Sequence, residues 1–300
     1  MKKLIALLLT FALLLVLCAC GSDEKNQETK PTNAPDSTTG PAEEEETTKQ
    51  FDIGEIIVAD NADCSVKITG MEIDALWGLA LRVQIENRTE DASRVVCVDS
   101  AAINGVQCAS FFSVDVTAGK KANEDITFAT EILDDGGVGD YTDIELTFRV
   151  YDPEGYGDDL VKETVHVYPY GEDKAVRFER EPQSDDLVIV DNDYVKIVVT
   201  DTAFDETWGF AVNMFLQSKC DKNVTISTDE VSVNDFMMDP FYTEILYAGK
   251  SAFSTISWFG DDLANCEITE VEKAEFLLRM TDHDDWFADE LACETIVLNP

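Results

Sequence analysis

The stretch "WGLALRVQIEN" at residues 77–87 alternates apolar and mostly polar positions, and "WGFAVNMFLQS" at residues 208–218 does the same. An alternation with period two over nine residues predicts a long β-strand with one buried face. The residues predicted to face the core are Trp77, Leu79, Leu81, Val83 and Ile85 in the first stretch and Trp208, Phe210, Val212, Met214 and Leu216 in the second. Both tryptophans are therefore expected to be core residues.

The two stretches belong to a longer internal repeat. "VADN" at 58–61 matches "IVDN" at 189–192, and "AGKKA" at 118–122 matches "AGKSA" at 248–252. These matches keep their order, at an offset of 131 residues that later becomes 130. The repeat predicts a tandem duplication of one domain of about 115 residues.

Turn signals divide each copy into short strands. Examples are "ENRTED", "ING", "TAGKK" and "DDGGVGD", and no convincing amphipathic helix lies between them. About eight strands in a copy of this size favour a Greek-key or immunoglobulin-like sandwich. The predicted fold class is all-β, with one immunoglobulin-like β-sandwich at 51–169, an inter-domain linker at 170–186 and a second sandwich at 187–300.

The N-terminus has the features of an export signal. Two lysines precede an apolar run from Leu4 to Leu17, which is shorter than the roughly 20 residues that a transmembrane helix needs. The run ends in "LCACGS", which resembles the lipobox of bacterial lipoproteins. The resemblance implies that residues 1–19 are a signal peptide and that Cys20 is lipidated; an ordinary secretory signal is the alternative. Residues 20–50 are then a disordered acidic linker that follows the anchor.

The composition excludes some classes of partner. The chain has 61 acidic against 22 basic residues and a net charge of -39. Such a charge repels nucleic acids and anionic lipid headgroups, so no nucleic-acid partner is expected. The chain has only two histidines, His166 and His283, which makes histidine-based catalysis a poor prediction.

Six cysteines follow Cys20, namely Cys64, Cys97, Cys108, Cys220, Cys266 and Cys293. An exported chain with an even number of cysteines is compatible with disulfides. In the repeat alignment, however, Cys64 faces Val195 and Cys97 faces Thr228, and no cysteine faces another. Free, mostly buried thiols are favoured, and a disulfide private to one copy is the alternative.

Dense acidic segments raise the question of a cation site. "DHDDWFADE" at 282–290 and "DPEGYGDD" at 152–159 occupy corresponding positions in the two copies. Asp282, Asp284 and Asp285 are candidate Ca²⁺ ligands, although neither segment has the residue order of an EF-hand. A solvated acidic loop is the alternative, and no metal or other cofactor is predicted.

Apolar residues outside the strand pattern are candidates for a binding surface. Phe236 and Met237 lie in "NDFMMDPFYTE" at 234–244, Phe215 faces outward on its strand, and Trp286 and Phe287 lie in an acidic hairpin. For the 234–244 segment, however, the favoured interpretation is that it fills the core, since Phe111 and Phe112 stand at the same place in the first copy.

The succession of Trp-Gly, "ENRT", "ING", "AGK" and "IELTFRVYD" resembles tandem immunoglobulin-like domains of unknown function in lipoproteins of Gram-positive bacteria. The resemblance covers residues 55–300 and implies a fold and a surface location, without catalytic residues. The sequence also lacks G-x-S-x-G, H-E-x-x-H and P-loop motifs.

The sequence therefore predicts a non-catalytic, extracytoplasmic protein that a lipid anchors to the bacterial cell membrane. Its two repeats would form a binding or spacer module with a partner in the cell wall or among envelope proteins. The alternatives are a capture protein for a small ligand or a cation such as Ca²⁺, and a carboxylate-dependent hydrolase.

Overall fold

A computed structural model describes residues 48–74, 78–155, 159–205, 207–240, 242–285 and 287–300. Cys20 and the predicted signal peptide lie outside the described residues, as do Trp77 and Trp286. The described part of the chain is nearly all β, which confirms the all-β prediction. No helix in these ranges is long and apolar enough to cross a membrane.

Twenty strands follow one another in the residues that the structure describes. We call β1 to β11 the first half and β12 to β20 the second half. The strands are β1 (Lys49–Phe51), β2 (Ile56–Asp60), β3 (Cys64–Asp74), β4 (Gly78–Asn87), β5 (Arg94–Ile103), β6 (Val106–Cys108), β7 (Ser110–Phe111), β8 (Ser113–Val116), β9 (Lys121–Phe128), β10 (Ile144–Tyr151), β11 (Val161–Val167), β12 (Leu187–Asp191), β13 (Val195–Asp205), β14 (Gly209–Ser218), β15 (Val224–Val233), β16 (Phe236–Met237), β17 (Thr243–Leu246), β18 (Ser251–Trp258), β19 (Ala274–Asp282) and β20 (Ala292–Leu298).

The strands form three sheets. The first sheet has the order β1-β3-β4-β9-β7, with β2 beside β3. The second has the order β11-β10-β5-β6-β18-β14-β13-β12, with β8 beside β5, and it therefore runs through both halves. The third has the order β16-β15-β19-β20, with β17 beside β15. The pairing of β6 with β18 is parallel, and the other strand pairs of the described residues are antiparallel.

The two halves repeat the same elements. β3 and β13 each have 11 residues, β4 and β14 each have 10, and β9 and β18 each have 8. Short α-helices, α1 (Glu131–Asp135) and α2 (Gly260–Asn265), also occupy corresponding places. The sequence analysis found no helix there, because a single turn is too short to show a helical period.

Each half has its own hydrophobic core. The buried residues of one cluster lie between Val58 and Val167, and those of the other between Val190 and Leu298. In the first half the core receives side chains from β3, β4 and β9 on one side and from β5, β10 and β11 on the other, as in a sandwich. Leu79, Leu81, Val83 and Ile85 are all buried there, as their alternation predicted.

The halves meet at a junction between β6 and the start of β18. Val106 pairs with Ser251, and the Ser251 amide donates a hydrogen bond of 3.0 Å to the Gly105 carbonyl. The Gln107 side chain donates to the Ile245 carbonyl at 2.8 Å and accepts from the Tyr247 amide at 2.7 Å. One amide side chain of the first half thus pairs with two backbone groups of the second half.

The segment between β11 and β12 covers this junction. The Phe178 ring lies 6.2 Å from the rings of Phe215 and Phe253, which are 5.0 Å from each other. Arg180 lies 6.0 Å from the centre of the Phe215 ring and pairs with Asp186 at 2.7 Å. A salt bridge between Lys250 and Glu145 also joins the halves.

The predicted exposure of Phe215 is wrong. The sequence pattern predicted that Phe215 is an exposed binding residue, because it lies opposite to the core side chains of β14. It does lie on that outer face, but only 3% of it is exposed. Phe178 and Phe253 cover it at the junction, so this side chain stabilises the contact between the halves.

Candidate functional site

Exposed apolar side chains cluster at the end of the second half that lies away from the junction. On β18, Ser251 belongs to the junction and Trp258 is the last strand residue. With a rise of about 3.3 Å per residue, these two residues are about 23 Å apart. Three chain segments meet beyond Trp258, and each contributes to the candidate site.

The first segment is the turn between β13 and β14. The sequence predicted Trp208 as a core residue, but 82% of it is exposed, so that prediction is wrong. β14 begins only at Gly209, which has a φ of 102°, so Trp208 lies in the turn before the strand. The carboxylate of Asp205 accepts hydrogen bonds from the amides of Thr207 and Trp208 at 2.8 and 2.9 Å. This turn holds the indole outside the sandwich.

The second segment is the end of β18. Trp258, and not Trp208, fills the core at this level: it is 1% exposed and stacks on Phe210 with 5.4 Å between ring centres. A Cβ atom at Gly209 would clash with the backbone of Trp258, so the two segments are in direct contact. The next residue, Phe259, is 67% exposed.

The third segment is the hairpin of β15 and β16. Asn234 and Asp235 form a two-residue turn in which both have positive φ, as type I′ hairpins require. The turn presents Phe236 and Met237, which are 49% and 74% exposed. The following residue, Met238, is buried, and its carbonyl accepts a hydrogen bond of 3.1 Å from Trp258 Nε1.

The predicted 234–244 segment therefore divides into two parts. Phe236 and Met237 are exposed, whereas Met238 and Tyr242 are buried, as the core-filling interpretation expected. Phe241 lies outside the described residues. In the first half Phe112 is likewise buried, while Phe111 is exposed.

We call the exposed surface at these three segments the distal tip. Its apolar side chains are Phe204, Trp208, Phe236, Met237 and Phe259. Contact between Gly209 and Trp258, together with the hydrogen bond from Trp258 to Met238, fixes the three segments relative to one another. Clustered exposed aromatic and methionine side chains are typical of protein interaction surfaces, whereas scattered ones are not.

Carboxylates lie among these apolar side chains. Among the described residues of the three segments, the acidic ones are Asp205, Asp235, Asp239, Asp261 and Asp262. The hydrogen bonds from the Trp208 and Thr207 amides keep the pKa of Asp205 below its usual value. Lys273, at the start of β19, pairs with both Asp235 and Glu275, at 2.7 and 2.9 Å. The distal tip is therefore apolar with a negative rim.

The other predicted surface residues lie elsewhere. β19 starts at Ala274, which pairs with Val233 near the distal tip, and it ends at Asp282. The loop after Asp282 contains Phe287, which is 96% exposed, so this residue lies at the opposite end of the half. Trp286 falls outside the described residues.

The candidate Ca²⁺ ligands have protein partners. Asp282 forms a salt bridge with Lys222, which is the main cause of its lowered pKa. Asp284 accepts a hydrogen bond of 2.8 Å from Asn223, and Asp285 accepts one of 3.1 Å from the Phe287 amide. In the ranges that the structure describes, no group of three or more His, Cys, Asp or Glu side chains is placed to hold a metal ion.

The burial of the cysteine thiols and the hydrogen-bond partners of the two histidines do not indicate a catalytic role. All six cysteines after Cys20 are free; Cys64 is buried, Cys293 is exposed and the others are half-buried. Burial raises the pKa of Cys64 and raises that of Cys108 to about 12, which disfavours the nucleophilic thiolate. His166 Nδ1 lies 2.7 Å from Asp143, and His283 Nδ1 lies 3.1 Å from the Thr225 hydroxyl.

A polar cleft of about 250 Å³ lies beside the junction. It is lined by residues of both halves, among them Thr147, Thr164 and Tyr247. Its charged groups pair with one another: Lys250 with Glu145, and Lys162 with Asp99 at 3.4 Å. The two threonine hydroxyls are 2.9 Å apart and also pair. Of these pairs only that of Lys250 and Glu145 crosses the junction, and the other two lie within the first half. Because the charged groups of the cleft are already paired with one another, the distal tip is the stronger candidate site.

Sequence reasoning missed Phe204, Trp208 and Phe259 as surface residues. A usable signal existed for Phe259, because it is out of phase with the buried Ile256 and Trp258 and precedes "GDD". For Trp208 the period-two pattern was misleading, since it extended the strand one residue into the turn.

Comparisons with known proteins leave the function open. No family model matches the chain, and no curated protein matches it. A crystal structure of red sea bream transglutaminase is similar to 73% of this chain and to 28% of that enzyme's chain, with 9% sequence identity and a TM-score of 0.21. A similarity this weak carries no argument about fold or activity.

Proposed function

We propose that the chain is a non-catalytic binding protein of the bacterial cell surface, built of two tandem immunoglobulin-like domains and anchored by a lipid on Cys20. The observation that carries the proposal is the distal tip. Three segments fixed by core contacts present five apolar side chains to solvent at one end of the second half. A partner that covered this surface would remove those side chains from water.

The strand order supports the immunoglobulin-like assignment. In the first half, β3-β4-β9-β7 lies on one side of the core and β11-β10-β5-β6 on the other. Immunoglobulin-like sandwiches have this arrangement, with strands A-B-E-D opposite G-F-C-C′. The second half repeats it with β13-β14-β18 and β20-β19-β15-β16.

The order of the predicted anchor and the distal tip along the chain suits a displayed binding surface. The predicted acidic linker at 20–50 overlaps the start of β1, whose Lys49 and Gln50 already pair with β3 of the first half. The distal tip belongs to the second half, beyond the junction. Because the junction joins the halves through backbone, polar and aromatic contacts, the second half would not move independently of the first.

The test uses the purified full chain in detergent, carrying a fluorescent label, and isolated cell envelopes of a lipoprotein-producing Gram-positive bacterium. We expect saturable binding that becomes at least tenfold weaker in a Trp208→Ser, Met237→Ser double variant, because central apolar contacts dominate most interfaces. The matched control is Phe287→Ser, which removes an equally exposed aromatic side chain at the opposite end of the half.

Full binding by the double variant would contradict the assignment of the distal tip. Loss of binding in the Phe287→Ser control as well would indicate general adhesion of exposed aromatic side chains, and it would also count against the proposal. Unfolding curves of the three proteins should coincide, because all substituted side chains are exposed.

A further inference from the structure

We infer that the distal tip binds a basic amphipathic polypeptide segment, in which lysine or arginine side chains flank leucine-like ones. This inference rests on the proposed binding function and names the chemistry of the partner. It follows from the combination of an apolar centre with a carboxylate rim.

The apolar part of the distal tip is suited to a polypeptide. Met237 is 74% exposed, and a methionine side chain adapts its shape to many apolar partners. Trp208 and Phe259 add large flat surfaces from two neighbouring segments. Aromatic and methionine side chains are enriched at the centres of protein interfaces, so this surface fits the apolar face of a helix or strand.

The charged part of the distal tip selects a cationic partner. Asp261 and Asp262 are exposed in the first turn of α2, directly after Phe259, and the Asp235 side chain is 81% exposed directly before Phe236. The nearby cation Lys273 is already shared by Asp235 and Glu275. Lysine or arginine residues on the partner would meet these carboxylates and raise both association rate and specificity.

The same charges argue against other occupants. Anionic lipid headgroups and nucleic acid would meet carboxylates of the same sign. A second copy of this chain would bring a net charge of -39. Its first half could not dock on the distal tip as the second half docks at the junction. The junction uses the aromatic pair Phe215 and Phe253, and Gln84 and Asn123 stand at those positions in the first half.

The experiment measures the fluorescence anisotropy of a labelled 18-residue peptide of leucine and lysine in an amphipathic order, with the full chain in detergent. We expect saturable binding that weakens about tenfold in Trp208→Ser, Met237→Ser and severalfold in Asp261→Asn, Asp262→Asn. Binding should also fall as salt rises, because salt screens the exposed charges. Phe287→Ser is the control for the apolar variant and Asp173→Asn, Asp185→Asn for the acidic one.

Two control peptides separate the contributions. A peptide with glutamate in place of lysine should not bind, and one with serine in place of leucine should bind at least tenfold more weakly. Equal binding of the leucine and serine peptides would overturn the inference, since it would reflect only the net charge of the chain. Unchanged peptide binding by the double variant would overturn it as well.

Failure of this inference can be told apart from failure of the proposed function. If envelope binding depends on the distal tip while peptide binding does not, the binding function stands and the partner chemistry is wrong. Tip-dependent binding to protein-free cell-wall sacculi would likewise replace the polypeptide partner by a glycan. If neither envelopes nor peptide depend on the distal tip, both proposals fail.

Discussion

The hairpin of β5 and β6 in the first half and that of β15 and β16 in the second half have one fold and two environments. Each has a two-residue turn with positive φ, formed by Asn104 and Gly105 or by Asn234 and Asp235. In each, the asparagine side chain accepts hydrogen bonds from the two backbone amides that directly precede the facing strand. The first hairpin lies in the junction, and the second is exposed at the distal tip.

The side chains that follow the turn account for the difference. Gln107 of the first hairpin carries a donor and an acceptor, and both meet backbone groups of the second half. Met237 stands at the same position of the second hairpin and offers neither. The two hairpins thus share one turn, but the first contacts the other half whereas the second exposes apolar side chains.

The largest effect is expected from exchanging Trp258 for alanine, and Trp208 provides the comparison. Trp258→Ala should lower the free energy of unfolding by about 3–5 kcal/mol, because it empties a core site and orphans the Met238 carbonyl. Trp208→Ala should change it by less than about 0.5 kcal/mol, because the indole is exposed. Urea unfolding followed by circular dichroism measures both. Equal losses would contradict the placement of Trp208 outside the core.

A smaller loss is expected at the junction. Phe215→Ala should cost about 2–3 kcal/mol, since this buried ring contacts both Phe178 and Phe253. The matched variant is Gln84→Ala, at the corresponding exposed position of the first half, and it should be neutral. Limited proteolysis of residues 175–186 should accelerate only in Phe215→Ala. A neutral Phe215→Ala variant would mean that the aromatic contact does not hold the halves together.

Exchanging the residues of the two hairpins gives the sharpest comparison. Gln107→Met should cost about 1–3 kcal/mol, because it leaves the Ile245 carbonyl and the Tyr247 amide without their side-chain partner. Met237→Gln should leave thermal stability unchanged and weaken envelope binding instead. If Gln107→Met were as stable as the wild type, the hydrogen bonds of Gln107 would not stabilise the junction.

The smallest effect concerns pH. Arg180 lowers the pKa of Asp186 to about 2, with help from the Gln183 amide. A carboxylate with a lowered folded-state pKa contributes stability above its unfolded pKa of about 4, and this contribution disappears as the pH falls towards about 2. Asp186→Asn should therefore be less stable than the wild type at neutral pH and converge with it in acid. Asp173→Asn, at an exposed site, is the control, and a constant difference across this range would contradict the assignment.

The local pattern of the sequence was sufficient to predict the strands and their buried faces. Period two along β4 identified the core side chains Leu79, Leu81, Val83 and Ile85 correctly, since the strand contacts the core on one face only. These features depend on neighbours within a few residues. The pattern did not decide whether Phe236 and Met237 are exposed, because core filling was the favoured interpretation of their segment, and the structure exposes both.

The features that sequence reasoning missed depend on distant contacts. The outer face of β14 at Phe215 reads as solvent-exposed, and only the approach of Phe178 and Phe253 buries it. The position of Trp208 follows from Trp258, fifty residues later, which occupies the core site next to Phe210. A tandem repeat gives no local signal of which copy covers the other, so the junction and the distal tip emerged only from the structure.

The parallel pairing of β6 with β18 has a consequence for handling this protein. Strands at the margin of a sheet have unpaired backbone groups that promote aggregation, and proteins protect such edges. Here Val106 of β6 and Ser251 of β18 cover one position of each other's edge within a nine-stranded sheet. Cutting the chain between the halves would uncover Val106 and Ser251 together. Isolated halves are therefore expected to be prone to intermolecular strand pairing even where each core remains intact.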